Sequence, residues 1–466
     1  MTTPSPHGHV ELRPGAYADS VTLLQVSRVV QGLPGVLAAQ VAMATPLNVE
    51  VLEGMGFDVP AQATPNDLVV ALRVEDADTL AGALGGVDQA LRDANRRDSG
   101  PTEHAPPRTT GAAFRRTPEG LALVSVPGAS AFVEAMDALE AGRDVMVFSD
   151  NVPVDQEVAL KQYAAERGLL VMGPDCGTAV VGGLGLGFAN VVSPGPVGIV
   201  AASGTGCQQV LALLDHAGVG VTSALGVGGR DLSADVGGLA TREAMRRLDE
   251  DPTVELIVLI SKPPADDVAA AIRAYAGTLS TPVEYALLGP GQPDLTAATE
   301  AVLRRLGREV PRWPVVSTRA LEPGSGAVRG LFVGGTLASE AKLIADRPGN
   351  TFVDFGDDEY TTGRAHPMID PSLRLDHLAR AAADPETGVL LLDVVLGHGA
   401  EPDPAAGLAP VLAGIDKPVV VAVVGTAADP QGLARQVTAL AEAGAEVHLS
   451  NAAATRRALE LVGGPQ

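Results

Sequence analysis

A Ser or Thr hydroxyl set among glycines, between a β-branched strand and a helix start, offers a ring of backbone N–H groups at a helix N-terminus. That arrangement suits a phosphate or an acyl phosphate. The chain carries it twice. Val197 to Ala202 (VGIVAA) runs into Ser203, Gly204, Thr205 and Gly206 and then an apolar helix-like stretch. Gly330 to Val333 runs into Gly334, Gly335 and Thr336 and then Leu337 to Ile344. Turns from strand to helix often need glycine on structural grounds, so each copy is weak alone and the pairing carries the signal.

Charge to complement such an anion comes from Lys262, which precedes two prolines at a strand end. It either neutralises a phosphoryl group or pairs with Asp266 or Asp267. Arg230 and Asp231 face the same choice, and Gly228 and Gly229 beside them join the phosphate-binding candidates. Arg364 offers a bidentate fork for carboxylate or phosphate. With His366 and the nearby Asp357, Asp358 and Glu359 it forms either a site for a cation or proton, or a salt-bridged loop. His398, flanked by Gly397 and Gly399, is either open to phosphorylation and general-base work or an ordinary loop histidine. Arg364, His366, His398 and Lys262 are therefore the catalytic candidates. Cys176 follows a strand end and reads as a buried small thiol rather than a nucleophile. Two cysteines, Cys176 and Cys207, make neither a disulfide framework nor a zinc site, and no metal site is expected.

The repetition extends to the elements that must position these residues. Val221 to Asp231 matches Thr351 to Glu359, Glu255 to Ser261 matches Val389 to Val395, and Thr281-Pro282-Val283 matches Lys417-Pro418-Val419. Four units in one order with similar spacing indicate two tandem copies of one α/β domain. Upstream, strands at Leu121 to Val126, Asp144 to Phe148 and Gly168 to Met172 alternate with helices, which implies right-handed βαβ units and a parallel sheet. No GxGxxG follows the first of them, so ordinary NAD binding is disfavoured. The first region shows a helix over Val21 to Val30 capped by Asp19 or Ser20, strands over Val36 to Ala44 and Asp67 to Val74, and a helix over Ala77 to Ala94. The expected order is an N-terminal α/β sandwich (1–95), a linker (96–118), a Rossmann-like domain (119–194), a flavodoxin-like domain (195–310), a linker (311–327) and a second flavodoxin-like domain (328–466).

Composition sets the outer limits. Only 3% of the 466 residues are aromatic, so the core is close-packed small aliphatics, as in parallel sheets covered on both faces. A net charge of −23 argues against nucleic acid or an anionic membrane as partner, although an acidic surface also serves plain solubility. Met1 to Arg13 lacks the apolar core of a signal peptide, and no apolar run approaches membrane-spanning length. A soluble, cytoplasmic protein is expected.

Leu170 to Thr178, Pro196 to Val200 and Ser203 to Thr205 together resemble the succinyl-CoA synthetase α subunit, with its GPNC-type turn and SGT loop. Gly226 to Asp231 is similar to that family's next glycine-rich turn, and the chain from Val328 onward resembles the C-terminal ligase domain of the β subunit. Over nearly its full length the chain resembles the FdrA-type acyl-CoA synthetase-like family. The most specific runs are Met146 to Val152, Val171 to Thr178, Gly229 to Ser233, Ser261 to Pro264 and Thr362 to Pro371. The resemblance implies a Rossmann-like CoA-binding-type domain and two succinyl-CoA-synthetase-type domains whose glycine loops converge on one anion site. It implies CoA or substrate contacts from Gly173, Pro174, Asp175 and Cys176.

The departures from that family bear on function. Its phosphohistidine loop is replaced by Leu287 to Pro293 (LLGPGQP), and its glutamate-bearing GEIGG turn by Ser261-Lys262-Pro263-Pro264. No ATP-grasp domain is present, only the short stretch Pro311 to Ala327. The resemblance thus implies acyl or carbamoyl transfer from a phosphate already carried on the substrate, carbamoyl phosphate or an acyl phosphate. The family is linked with oxamate carbamoyltransferase in allantoin breakdown, so a hetero-oligomer with partner subunits, with self-association also open, is expected. The alternatives are an acyl-CoA ligase whose ATP-grasp domain lies on another chain, and a metabolite-binding scaffold.

Overall fold

In β3 (Asp67–Val74) the side chains alternate between two cores, as the two-residue strand period demands. Leu68, Val70, Leu72 and Val74 face one core, Val69 and Ala71 the other. This strand is the centre of a three-stranded antiparallel sheet, order β1-β3-β2, with β1 at His7–Pro14 and β2 at Val36–Met43. Helices α1 (Ser20–Gln31) and α3 (Ala77–Asn95) supply Leu23, Val26, Val30 and Val87 to the first core, while α2 (Pro46–Gly54) brings Leu52 to the second. Asp19 is the N-cap of α1, its carboxylate accepting from Thr22 N at 3.0 Å. Strand β1 and helix α2 were not anticipated from the sequence pattern.

The structure, a computed structural model, describes residues 7–95, 107–117, 119–361 and 363–463. The chain divides into two compact units, Met1–Pro106 with Asp357–Asp370, and Pro107–Gly356 with Pro371–Gln466. In the first unit the excursion 357–370 is tied down by Asn48 Nδ2, which donates to Gly363 O at 2.8 Å.

The second unit opens with α4 (Thr110–Arg116), inside the stretch expected to be a linker; Thr109 caps it, accepting from Ala112 N, and Asp137 accepts from Gly111 N at 2.6 Å. Residues 96–106 of that stretch lie outside the described residues. Next come β4 (Ala122–Val124), α5 (Gly128–Glu140), β5 (Val145–Val147), α6 (Val154–Ala165) and β6 (Val171–Met172). The three strands form a parallel sheet in sequential order, β4-β5-β6. The hairpin β7 (Thr178–Val181) and β8 (Leu184–Gly187) follows.

Two wound sheets complete the unit. The first runs β9 (Val197–Ala202), α7 (Gly204–His216), β10 (Val221–Gly226), α8 (Leu239–Glu250), β11 (Leu256–Ser261), α9 (Asp266–Ala276), β12 (Val283–Leu287) and α10 (Leu295–Arg305). After the edge strand β13 (Val315–Val316), which falls within the second expected linker, comes β14 (Ala327–Phe332). Then follow α11 (Gly335–Ile344), β15 (Thr351–Asp354), α12 (Asp358–Thr361, in the first unit), α13 (Ser372–Ala383), β16 (Thr387–Val395), α14 (Pro404–Ala413) and β17 (Val419–Val424). The chain ends with α15 (Leu433–Glu442), β18 (Glu446–His448) and α16 (Asn451–Leu461). Every residue of β9, β11, β16 and β17 is buried, as expected of strands covered on both faces.

Strand orders are β12-β11-β9-β10 plus the hairpin, and β13-β18-β17-β16-β14-β15. Each is the flavodoxin-like order, and each reverses beside its first strand, where ligands of open α/β sheets bind. The four matched units of the sequence are β9/β14, β10/β15, β11/β16 and β12/β17, so the duplication is real. The fold is mixed α/β, with a small N-terminal sandwich, a Rossmann-like sheet and two flavodoxin-like sheets.

Candidate functional site

Both glycine loops sit where strand order reverses, and each leads into its helix, α7 or α11. The two helices pack against each other, and the loops meet. Ser203 Oγ and Thr336 Oγ1 are hydrogen-bonded at 2.6 Å, and Ser203 Oγ also accepts from Gly206 N at 3.0 Å as the N-cap of α7. Reciprocal glycines make the approach possible. A Cβ on Gly206 would come within 2.9 Å of Thr336 Cγ2, and one on Gly334 within 2.9 Å of Thr205 Oγ1. Thr205 and Thr336 occupy the same place in their two loops, so each copy's Thr fills the space that the other's glycine leaves.

Lys262, at the carboxyl end of β11, reaches across to the second copy. A Cβ on Gly335 would lie 2.9 Å from Lys262 Nζ and 2.2 Å from Asp354 Oδ2. Among the described residues Lys262 has no ion pair; neither Asp266 nor Asp267 takes it. Helix α11 has no side-chain cap bond at its N-terminus. Ser203, Gly204, Thr205, Gly206, Lys262, Gly334, Gly335 and Thr336 are thus brought to one place.

The second loop holds an acid that sequence reasoning passed over. Asp393, fully buried in β16, accepts from Val333 N at 2.8 Å and Gly334 N at 2.9 Å. Arg374 of α13, also buried, donates Nη1 to Asp393 Oδ1 at 3.1 Å and to its carbonyl at 2.7 Å. Burial outweighs pairing for both: the Asp393 carboxyl is pushed up to about 6, and the Arg374 guanidinium is held below its ordinary range. A lone Asp in the otherwise apolar strand VLLLDVV was the available signal.

Other candidates lie elsewhere. Arg230 donates Nε to Glu157 Oε2 at 3.0 Å and Nη2 to Val152 O at 2.7 Å. Glu157 and Asp231 in turn flank the buried Lys161, at 2.7 and 2.8 Å, and Asp231 accepts from Ala240 N and Thr241 N at the start of α8. Arg230 and Asp231 therefore take the ion-paired alternative. Gly228, at φ +89°, lets the backbone pass Pro174, whose carbonyl a Cβ would meet at 2.5 Å; Gly229 follows it in the same loop. Gly173 is held as closely against Val147 O. The Gly173, Pro174, Asp175 and Cys176 turn thus abuts the Gly228 loop, with no space for a phosphate between Pro174 and Gly228. The Cys176 thiol is buried and pushed up to about 12 by that burial, so it reads as core.

Arg364 and His366 lie in the first unit. Arg364 reaches Asp370 and Asn48, each at 3.4 Å. His366 Nδ1 accepts from Met368 N at 3.2 Å, and burial lowers the ring to about 4, so it is neutral at pH 7. These contacts match the tied-loop alternative. His398 is exposed, its amide donating to Ala189 O at 2.8 Å. Among the described residues no group of three or more His, Cys, Asp or Glu is placed to hold a metal, and no helix is long and apolar enough to cross a membrane.

Residues 331–461 match the CoA-ligase family, and residues 5–107 match the family described as AllF, heavy metal-associated domain. The chain is 38% identical over 441 residues to Escherichia coli (strain K12) YahF, covering 85% of each protein. It is 28% identical over 174 residues to the α subunit of the ADP-forming succinate–CoA ligase of Methanothermobacter thermautotrophicus, covering 37% of this chain and 58% of that subunit. It therefore spans little more than half the length of that relative. An acetyl-coenzyme A synthetase from Ca. Korarchaeum cryptofilum, solved with phosphate and ADP, aligns at 16% identity over 73% of this chain and 84% of its own, with a TM-score of 0.31.

Proposed function

This chain belongs to the FdrA-type acyl-CoA synthetase-like family without an ATP-grasp domain, and from that premise we propose that it binds a phosphoryl group delivered on its substrate and serves acyl or carbamoyl transfer. The observation that supports this most is the meeting of the loops at Ser203 and Thr336, 2.6 Å apart, with the Lys262 ammonium, which has no ion pair among the described residues, beside Gly335. Helix N-termini of α7 and α11 favour an anion, and Lys262 adds a full positive charge. By the resemblance to succinyl-CoA synthetases, its turn Ser261-Lys262-Pro263-Pro264 replaces a glutamate-bearing one, which suits a site that receives phosphate rather than one that works beside a phosphohistidine.

With carbamoyl phosphate as substrate, an acceptor nitrogen attacks the carbonyl carbon and the carbon–oxygen bond to phosphate breaks. The bonding pair leaves with the phosphate, and the nitrogen releases a proton to water. The chain's contribution is to hold the departing phosphate: Lys262 and the loop amides stabilise charge as it develops there. Partner subunits complete the acceptor side in a complex of the oxamate carbamoyltransferase type in allantoin breakdown, acting in the cytoplasm. The test is phosphate release from carbamoyl phosphate plus oxamate, by the chain alone and with the products of its neighbouring genes. Release that depends on Lys262 is expected; ADP formation from ATP and CoA in its place overturns the reading.

A second reading has its own support. The match of 331–461 to CoA-ligases and the likeness to succinate–CoA ligase α subunits favour an acyl-CoA-ligase-like role with a separate ATP-grasp chain. That kinship also supports CoA as a ligand. The Gly173–Cys176 turn does not fit it: the turn is closed against Gly228, and the sequential β4-β5-β6 order has no reversal to open a crevice. No step is therefore routed through CoA.

A further inference from the structure

The two copies treat the same loop position differently. Sheet register pairs Ala201 with Ile260 on β9 and β11, and Leu331 with Leu392 on β14 and β16. On the other side of these strands Ile260 pairs with Ala286 and Asp393 with Ala422, so Asp393 is the second copy's register counterpart of Ile260, one residue away from the Leu259 that the match of Glu255 to Ser261 with Val389 to Val395 gave it. An apolar side chain satisfies the fold at this position in the first copy. In the second, a carboxylate caps two loop amides and faces a buried guanidinium.

Its contacts are those that a bound anion would make: two backbone N–H donors where the loop enters α11, and one arginine. A buried ion pair of this kind is weak evidence for a stabilising role, and burial moves both partners toward their neutral forms. We propose that Asp393 is the resident anion of the second glycine loop, standing where a ligand carboxylate or phosphate would otherwise lie. The paired loops are then one-sided. Resting on the function proposed above, this leaves the Ser203 loop, together with the Lys262 ammonium beside Gly335, to take the substrate's phosphoryl group, and limits the pair to one such group.

The test is chemical rescue in the full-length chain. Asp393→Ala leaves the amides of Val333 and Gly334 and the Arg374 guanidinium without their anion, in a space the size of a small carboxylate. Thermal unfolding is followed in sodium formate and in sodium chloride at matched ionic strength. The expected result is a large Tm loss in chloride, most of it regained in formate, with the wild type unmoved between the salts. Equal Tm values for Asp393→Ala in both salts overturn the proposal. Should that variant not fold in chloride, its refolding yield in the two salts gives the same answer. Asp393→Asn fills the space with a neutral group, so formate must not rescue it; rescue equal to that of the alanine variant also overturns the proposal. None of these outcomes depends on substrate phosphate. Inorganic phosphate titrated into the wild type separates the two ideas: no binding sinks the proposed function, and two sites sink the one-sided pair.

Discussion

The first copy places Ile260 beneath its glycine loop, 3.3 Å from where a Cβ on Gly206 would lie, and Lys262 just past the end of β11; the second places Asp393 at the position that matches Ile260. One loop is left with an apolar floor, the other with an acid held by Arg374 and with the first copy's Lys262 ammonium beside Gly335. A duplicated fold therefore retains its loops as architecture while their electrostatics diverge. The meeting point shows the same economy: Thr205 and Thr336 are the same residue in both copies and pack reciprocally, yet Thr336 finds a hydroxyl partner in the N-cap Ser203, whereas the N-cap at the matching place in the second copy is Gly334, which has no hydroxyl to offer Thr205.

Exchanging the characters of the two floors should produce the largest effect. Ile260→Asp buries a carboxylate with no arginine to meet it, and Asp393→Ala strands Arg374; each should cost about 3–5 kcal/mol in urea unfolding. A neutral Ile260→Asp would show that the two floors are not distinct. Next come the glycines. Gly206→Ala puts a Cβ 2.3 Å from Ser203 Oγ and should cost about 1–3 kcal/mol. Gly204→Ala, whose nearest neighbour is Thr178 Oγ1 at 3.5 Å, should stay within about 0.5 kcal/mol. Equal costs would mean that the loops do not pack as described.

A pH effect of intermediate size tests the contact between copies through Glu340. This buried residue of α11 accepts from Leu295 N at the start of α10 and from Asn451 Nδ2, both at 2.7 Å. Burial pushes its carboxyl up to about 7, with Asp294 adding to that rise and Arg456 opposing it. The folded chain therefore holds a proton that the unfolded chain has lost above about pH 4.5. Stability from this group is full at low pH and is lost as pH rises through 7, by on the order of 1 kcal/mol between pH 6 and 8. Unfolding midpoints across that window should fall for the wild type and flatten in Glu340→Gln. The smallest expected effect is the coupling of Ser203→Ala with Thr336→Val, about 0.5–1 kcal/mol in a double-mutant cycle. Strict additivity would deny the 2.6 Å bond a role in stability.

The strand–turn–helix pattern was legible because its signals are local: apolar runs of six or so, glycine turns and matched spacing, all of which recur as β9/β14 through β12/β17. Edge elements were less so. Strand β1 reads HGHVELRP, half exposed, and β13 is two residues long, so neither carries a buried run. The helix α4 hid in an Arg- and Thr-rich stretch because its stability comes from Thr109 and from Asp137, 26 residues away. At the site, the meeting of the loops was expected, but the fate of charges was not readable. Whether Arg230 is free depends on Glu157, 73 residues earlier, and whether a loop amide is open depends on an acid from a neighbouring strand.

The most direct measurement is calorimetric titration of carbamoyl phosphate, with inorganic phosphate in parallel, into the wild type and Lys262→Met. One phosphoryl group per wild-type chain, lost in Lys262→Met while the variant's Tm is kept, is the result predicted. Two groups per chain, or binding that is indifferent to Lys262, would contradict it.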